Sequence, residues 1–199
     1  MKKTITLLFL LILFTNAVFA RKIYSGDIQL NIGGNIFNSV FTSEEFLTSV
    51  DADIESWHLF SLSEKFSLGF VAGCSARFCS LIGYAKDDSG NVLQKRSVLD
   101  SGIAFDFFSG PAFSIDFDNM RLSAALETSF GFGGLPHRYI FVFAGAGTDV
   151  QLIFFPKTSA ISPVLGYHFE TLFAEVIVFT GGYSILFNNK LFAGISFNW

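Results

Sequence analysis

The chain has 199 residues, enough for one domain and short for two. Its 13 Lys and Arg against 17 Asp and Glu give a formal net charge of −4, which excludes the basic footprint that nucleic acid calls for. Hydrophobic residues make up 51% and Phe alone occurs 27 times.

The first 20 residues read as a cleaved export signal. Lys2 and Lys3 form a positive start, an apolar run follows from Ile5 to Phe14, and Ala17-Val18-Phe19-Ala20 supplies the small residue that a signal peptidase accepts. The run is shorter than the roughly 20 apolar residues of a spanning helix. No Cys follows it, so no lipid anchor is indicated. Removing Lys2 and Lys3 from the 13 basic residues leaves 11 against 17 acids, a net charge of −6. Beyond residue 20 no stretch suits a membrane helix. The two most apolar stretches, 140–155 and 172–187, are interrupted by Asp149 and Gln151, and by Glu175 and Gly181-Gly182.

The remainder, 21–199, alternates with period two, which is the signature of strands. Ile28, Leu30 and Ile32 alternate with Asp27, Gln29 and Asn31. Val50, Ala52, Ile54 and Phe60 oppose Asp51, Asp53 and Glu55, and Phe66, Leu68 and Phe70 oppose Ser67, Gly69 and Gly73. The fourth run sets Ile103, Phe105, Phe107, Phe113 and Ile115 against Asp100, Gly102, Ala104, Asp106, Ser114 and Asp116. Its parity survives Ser109-Gly110-Pro111, so a bulge or kink within one strand, rather than a turn, is expected there. Leu122, Ala124, Leu126 and Phe130 then face away from Arg121, Ser123, Glu127 and Ser129. Val142, Ala144, Ala146, Val150 and Leu152 face away from Gly145, Gly147, Asp149 and Gln151. Leu165, Tyr167, Phe169 and Phe173 oppose Gly166, His168 and Glu170. In the last run, Tyr183 to Trp199, every odd position is apolar except Asn189. That makes eight strands.

Tight links are expected at 61–65, 118–120 and 156–160, each rich in turn formers, and a two-residue turn at Gly181-Gly182. Longer links are expected at Asn35–Leu47, Arg77–Arg96 and Gly131–Arg138. Short turns at one end and longer loops at the other fit an all-β, eight-stranded antiparallel up-and-down transmembrane barrel. The apolar parity is Phe-rich and nearly uncharged, whereas the other is rich in Gly, Ala, Ser, Asp and Glu. Acids facing lipid near the midplane are costly, so the charged parity faces inward.

The ending, with Trp199, Phe197, Ile195 and Leu191 in one row, resembles the closing strand of the small outer-membrane β-barrels of OmpA, OmpX and OmpW type. The resemblance implies an integral outer-membrane protein in contact with outer-membrane lipid, whose last strand is read by the barrel assembly machinery. It implies a non-enzymatic role that presents loops at the cell surface, where an extracellular ligand or host surface is a partner to look for, or that supports the envelope. A narrow OmpW-like channel for small hydrophobic or ionic solutes is the alternative, with Phe141 and Phe143 on the inner parity near the outer end as the hint for it. A soluble periplasmic lipid-binding barrel with the faces reversed is the second alternative.

The inner parity carries a candidate lumen cluster of Asp106, Glu127, Asp149, His168, Glu170 and Lys190. Crowded carboxylates must be protonated, hydrated or paired with Lys190, Arg121 or His168, so a plug of ion pairs is the expected arrangement, with Lys190 as the one fixed cation among Asp106, Glu127 and Glu170. His58, His137 and His168 do not define a catalytic site by type alone, and no metal or cofactor site is expected. Cys74 and Cys79 on one extended strand would lie roughly 16 Å apart, beyond disulfide reach. The alternation runs past them through Phe78, Ile82 and Tyr84, towards a projecting hairpin around Asp87-Asp88-Ser89.

The closing row yields a first test. Deletion of Trp199 should lower the amount of folded barrel in the outer membrane, read as heat-modifiable migration on a gel. An unchanged folded yield would show that the final aromatic residue is not needed for assembly.

Overall fold

The computed structural model describes residues 24–39, 46–86, 92–135, 139–156, 159–176 and 183–198. Residues 1–20, the expected export segment, and Trp199 therefore lie outside the described residues, as do Gly181-Gly182. Eight strands follow one another: β1 (Tyr24–Ser39), β2 (Phe46–Ser61), β3 (Phe66–Lys86), β4 (Val92–Asp116), β5 (Met120–Leu135), β6 (Tyr139–Phe154), β7 (Ile161–Val176) and β8 (Tyr183–Asn198). Each pairs antiparallel with the next, and β8 returns to β1 from Ser39↔Leu186 to Asp27↔Asn198, closing the barrel. Six strands are 16 residues long. At about 3.4 Å per residue and a tilt near 40°, such a strand spans about 40 Å, enough for an apolar band of about 25 Å with both interfaces.

The expected parity holds on every strand. Ile32, Val50, Ile54, Leu126, Phe130 and Leu191 are more than half exposed, while Asp27, Gln29, Asp51, Asp106, Gln151 and Glu170 are buried. This distribution is the reverse of a soluble carrier, whose apolar rows point inward. The one polar residue in the outer row of β8, Asn189, accepts a hydrogen bond from the Tyr167 hydroxyl at 2.6 Å, which lowers the cost of its amide on that face.

At the turn end, three short links carry their own hydrogen bonds. Ser63 Oγ accepts from the Phe66 N–H at 3.1 Å, and the Phe117 N–H reaches the Met120 carbonyl at 2.7 Å. Phe155 adopts a left-handed conformation (φ 59°), and its N–H bonds the Asn119 carbonyl at 2.8 Å, tying the third link to the second. Tyr24, Phe60, Phe66, Phe113, Phe117 and Phe155 stand exposed around this end, the aromatic girdle expected where an apolar band meets headgroups.

Four expectations from the sequence are corrected. The link expected at Gly131–Arg138 is strand as far as Leu135, where β5 ends. The segment Asn35–Leu47 is strand at both of its ends, since β1 runs to Ser39 and β2 starts at Phe46. Much of Arg77–Arg96 is strand as well, in keeping with the alternation through Phe78, Ile82 and Tyr84 towards a projecting hairpin: β3 has 21 residues and β4 has 25. Pairing of β3 with β2 ends at Phe46↔Ile82, and pairing of β4 with β5 ends at Ile103↔Gly134. Beyond those points, among the described residues, β3 and β4 pair only with each other, as an irregular ribbon reaching Lys86↔Val92. One strand runs through Ser109-Gly110-Pro111, as expected, but no residue is inserted there. The β3 ladder runs through Phe70↔Pro111 unshifted, and the β5 register is the same on both sides, Ser109↔Thr128 and Ala112↔Ala125. Pro111 has no N–H to give, so the ladder skips a step there without a bulge.

Depth along the outer face gives the second prediction. Leu126→Arg, halfway along β5, should cost about 2–4 kcal/mol in a reversible folding assay in lipid, and Phe60→Arg at the turn-end rim about 0–1. Equal costs at the two positions would mean that this face does not cross a bilayer.

Candidate functional site: the charged core of the barrel

The inner rows of all eight strands meet in one polar network at mid-barrel. Its centre is Arg77, which β3 places between Ser75 and Cys79 on the inner row. The guanidinium Nη2 bonds the Asp106 carboxylate of β4 and donates to Glu170 Oε2 of β7 at 3.3 Å, while Nε lies 3.5 Å from Asp51 Oδ2 of β2. Lys190 of β8 bonds the Asp53 carboxylate and lies 3.7 Å from Asp51 Oδ2. Asp51 thus stands between the two cations, and its other oxygen accepts from Ser49 Oγ at 2.8 Å. On the far side, Glu170 accepts from Ser129 and lies 3.8 Å from His168 Nε2. His168 Nδ1 is 3.6 Å from both Glu127 Oε2 and Asp149 Oδ2. Glu55 accepts from the Asn31 amide at 3.0 Å and the Trp57 indole N–H at 2.9 Å, which brings in β1.

All six residues of the expected cluster, Asp106, Glu127, Asp149, His168, Glu170 and Lys190, face inward and belong to this network. The expected pairing is corrected. Lys190 is not the only fixed cation, and it meets Asp53 and Asp51 rather than Asp106, Glu127 or Glu170. Those acids look to Arg77 and His168 instead. Arg121 sits apart at the turn end, where its Nε donates to Asp116 at 2.7 Å and its Nη1 lies 3.6 Å from Asp27. Arg77 was missed because it opened an expected loop. The signal was present, since Phe78 in the apolar row puts Arg77 in the polar one. Asp51, Asp53 and Glu55 stood in the polar row of β2, but nothing in a single strand says at what height it meets its neighbours.

Apolar layers cover the network on both sides. Towards the loop end, Phe37, Cys79, Ala104, Phe143 and Leu172 form a buried cluster, and the Arg77 guanidinium lies 5.9 Å from the Phe37 ring and 5.7 Å from the Phe143 ring. Phe143 therefore caps the lumen rather than lining a path; the Phe141 side chain lies outside the described residues. Towards the turn end, Trp57, Leu59, Val71, Ala112 and Ala125 form a second cluster, and Ile153, Val164 and Phe192 a third. Glycine makes room for two of these rings. Gly131 lies directly across from Phe143, and Gly166 across from Phe192, with the ring over the position a Cβ would occupy. The cavity left between the layers measures about 20 Å³, room for about one water molecule.

The remaining candidates fall elsewhere. Leu191, Ile195 and Phe197 stand exposed on the outer row of β8. Cys74 is exposed on the outer face and Cys79 is buried on the inner one, and both are free thiols. His137 and Asp87-Asp88-Ser89 lie outside the described residues. His58 belongs to the outer face, where Nε2 meets Ser56 Oγ at 3.0 Å, Nδ1 meets the Tyr24 hydroxyl, and the ring stacks on Phe70 at 4.6 Å. The ladders on both sides of β2 engage the backbone around this Ser–His pair. Among the described residues, no group of three or more His, Cys, Asp or Glu converges as a metal site.

A closed up-and-down barrel with an apolar exterior and a packed, charged interior defines the class of small outer-membrane β-barrels. No family model matches the sequence, and no curated protein sequence matches it. Solved structures do match the fold. Neisserial surface protein A shares it with a TM-score of 0.54 at 8% identity, over 86% of this chain and 96% of that one. Ail, the attachment invasion locus protein of Yersinia pestis, in complex with the heparin analogue sucrose octasulfate, gives 0.51 at 9% identity, over 88% and 99%. The outer membrane protein OprG of Pseudomonas aeruginosa gives 0.50 at 6% identity, over 89% and 97%. The fold of this chain is thus that of the eight-stranded outer-membrane barrels.

Removing one partner of a buried ion pair strands the other charge. Arg77→Ala should therefore destabilise the barrel by about 3–5 kcal/mol, since three carboxylates lose their shared counter-charge. Lys190→Ala should cost less, because Asp51 keeps Arg77. Urea unfolding of the two variants in lipid checks the ranking, and a larger cost for Lys190→Ala would displace Arg77 from the centre of the core.

Proposed function

We propose that this protein is exported by its first 20 residues and inserted by the barrel assembly machinery. It then stands in the outer membrane of a diderm bacterium as a non-enzymatic barrel that displays its loop end at the cell surface. The observation that carries this reading is the pairing of a filled lumen with a strand pair that outruns the barrel. A core cavity of about 20 Å³, capped by Phe37 and Phe143, leaves no route for a solute, which weighs against the channel alternative. The extra length of β3 and β4 lies entirely at the loop end, where it serves display rather than spanning. β4 exceeds the 16-residue strands by nine residues, or roughly 30 Å of extended chain. The likeness in fold to a neisserial surface protein and to an attachment invasion locus protein agrees with a surface role.

Two measurements test this. A short epitope inserted after Ser89 should be reached by antibody on intact cells, and the purified protein should show little or no steady conductance in a planar bilayer at neutral pH. Labelling only after the outer membrane is permeabilised would reverse the orientation, and large stable conductance steps would promote the channel.

A further inference from the structure

Of the buried oxygen atoms that the ionic network leaves without a hydrogen bond, three stand side by side in the register. Asp53 of β2, Ser75 of β3 and Asp106 of β4 are directly paired across the sheet, Asp53↔Ser75 and Ser75↔Asp106. All three side chains point inward and are more than nine-tenths buried. Lys190 occupies only Oδ2 of Asp53 and Arg77 only Oδ2 of Asp106. Asp53 Oδ1, Ser75 Oγ and Asp106 Oδ1 make no hydrogen bond, and their residues line the cavity of about 20 Å³. A buried oxygen without a partner loses its hydration for nothing in return, and three on adjacent strands around one small space define a common site.

We propose that the barrel core binds one small, hard monovalent cation, Na⁺, between Asp53, Ser75 and Asp106. Carboxyl groups outnumber the cations, and a bound cation offsets whatever charge retained protons leave. Asp51, Asp53, Glu55, Asp106, Glu127, Asp149 and Glu170 face Arg77, Lys190 and His168 within this enclosed space. The donor set is all oxygen, which suits hard ions and not the softer metals that seek His and Cys. Charge argues against a divalent ion, and the several waters that Mg²⁺ holds have no room in a cavity of about 20 Å³. Both carboxylates also share their charge with a neighbouring cation, which leaves a field suited to a single positive charge. The apolar layers above and below give the ion no open path, so it enters as the barrel closes.

The test is to refold the full chain into lipid in NaCl, KCl or choline chloride at equal ionic strength and to follow the thermal midpoint of the folded gel band. At a concentration tenfold above its dissociation constant, Na⁺ should raise the midpoint over choline by about 3–6 °C, with a smaller rise for the larger K⁺. Ser75→Ala removes one ligand while leaving every ion pair in place and should remove most of the Na⁺ increment. Asp106→Asn should do the same where it folds, and Ser75→Ala alone decides where it does not. Equal midpoints in NaCl and choline chloride, or a full Na⁺ increment in Ser75→Ala, would overturn the proposal and leave the cavity to water.

Discussion

Everything in this structure depends on the backbone having no water to bond to across an apolar layer. A sheet that crosses such a layer must pair its own edges, since each exposed N–H and C=O would cost several kcal/mol in hydrocarbon. Here that demand is met by the seam between β1 and β8, thirteen paired positions from Ser39↔Leu186 to Asp27↔Asn198. Closure with eight strands then fixes a narrow interior that side chains fill. The outer rows must be apolar, the inner rows must be small or polar, and any inner charge must find its partner inside. The composition of the chain is a consequence of that geometry.

This explains what could and could not be read in the sequence. The period-two alternation reports the two faces of each strand directly, so the number of strands and their inside and outside were legible from rows such as Ile28-Leu30-Ile32 and Asp51-Asp53-Glu55. Registers between strands were not. Which carboxylate meets which cation depends on the stagger of neighbouring strands, and alternation within one strand is silent about stagger. That is why Lys190 was expected beside Asp106 and Glu170, although the sheet brings it to Asp53 and Asp51. Strand ends were equally hidden. β3 continues past the barrel wall into a ribbon with register shifts, and the alternation through Phe78 and Ile82 does not mark where the wall stops, so Arg77 falls within the expected link.

The exceptions to the pattern have local causes. Asn189 interrupts an apolar row and is matched by the Tyr167 hydroxyl on the neighbouring strand. Pro111 and Gly110 interrupt a ladder without shifting it, because β3 holds the register on the other side of β4. Phe192 and Phe143 place large rings on rows of small residues, and each is accommodated by a glycine directly opposite. In every case the compensation comes from the adjacent strand. Judged within its own strand, each residue would count as an error.

The order of layers along the barrel has an energetic logic of its own. A charged cluster open to water at either end would be screened and loosely held, and its pairs would contribute little. Covering it with Phe37 and Phe143 on one side and with Trp57 and Phe192 on the other raises the strength of each pair and also the cost of any mismatch. The covering rings recover part of that cost, because Arg77 lies over Phe37 and Phe143 and Lys190 lies 5.4 Å from the Phe192 ring. The caps and the cations therefore hold one another in place, and opening a path through the lumen would mean breaking both at once. A barrel built in this way is a rigid post for the ribbon it carries, with its centre locked by contacts that draw on all eight strands.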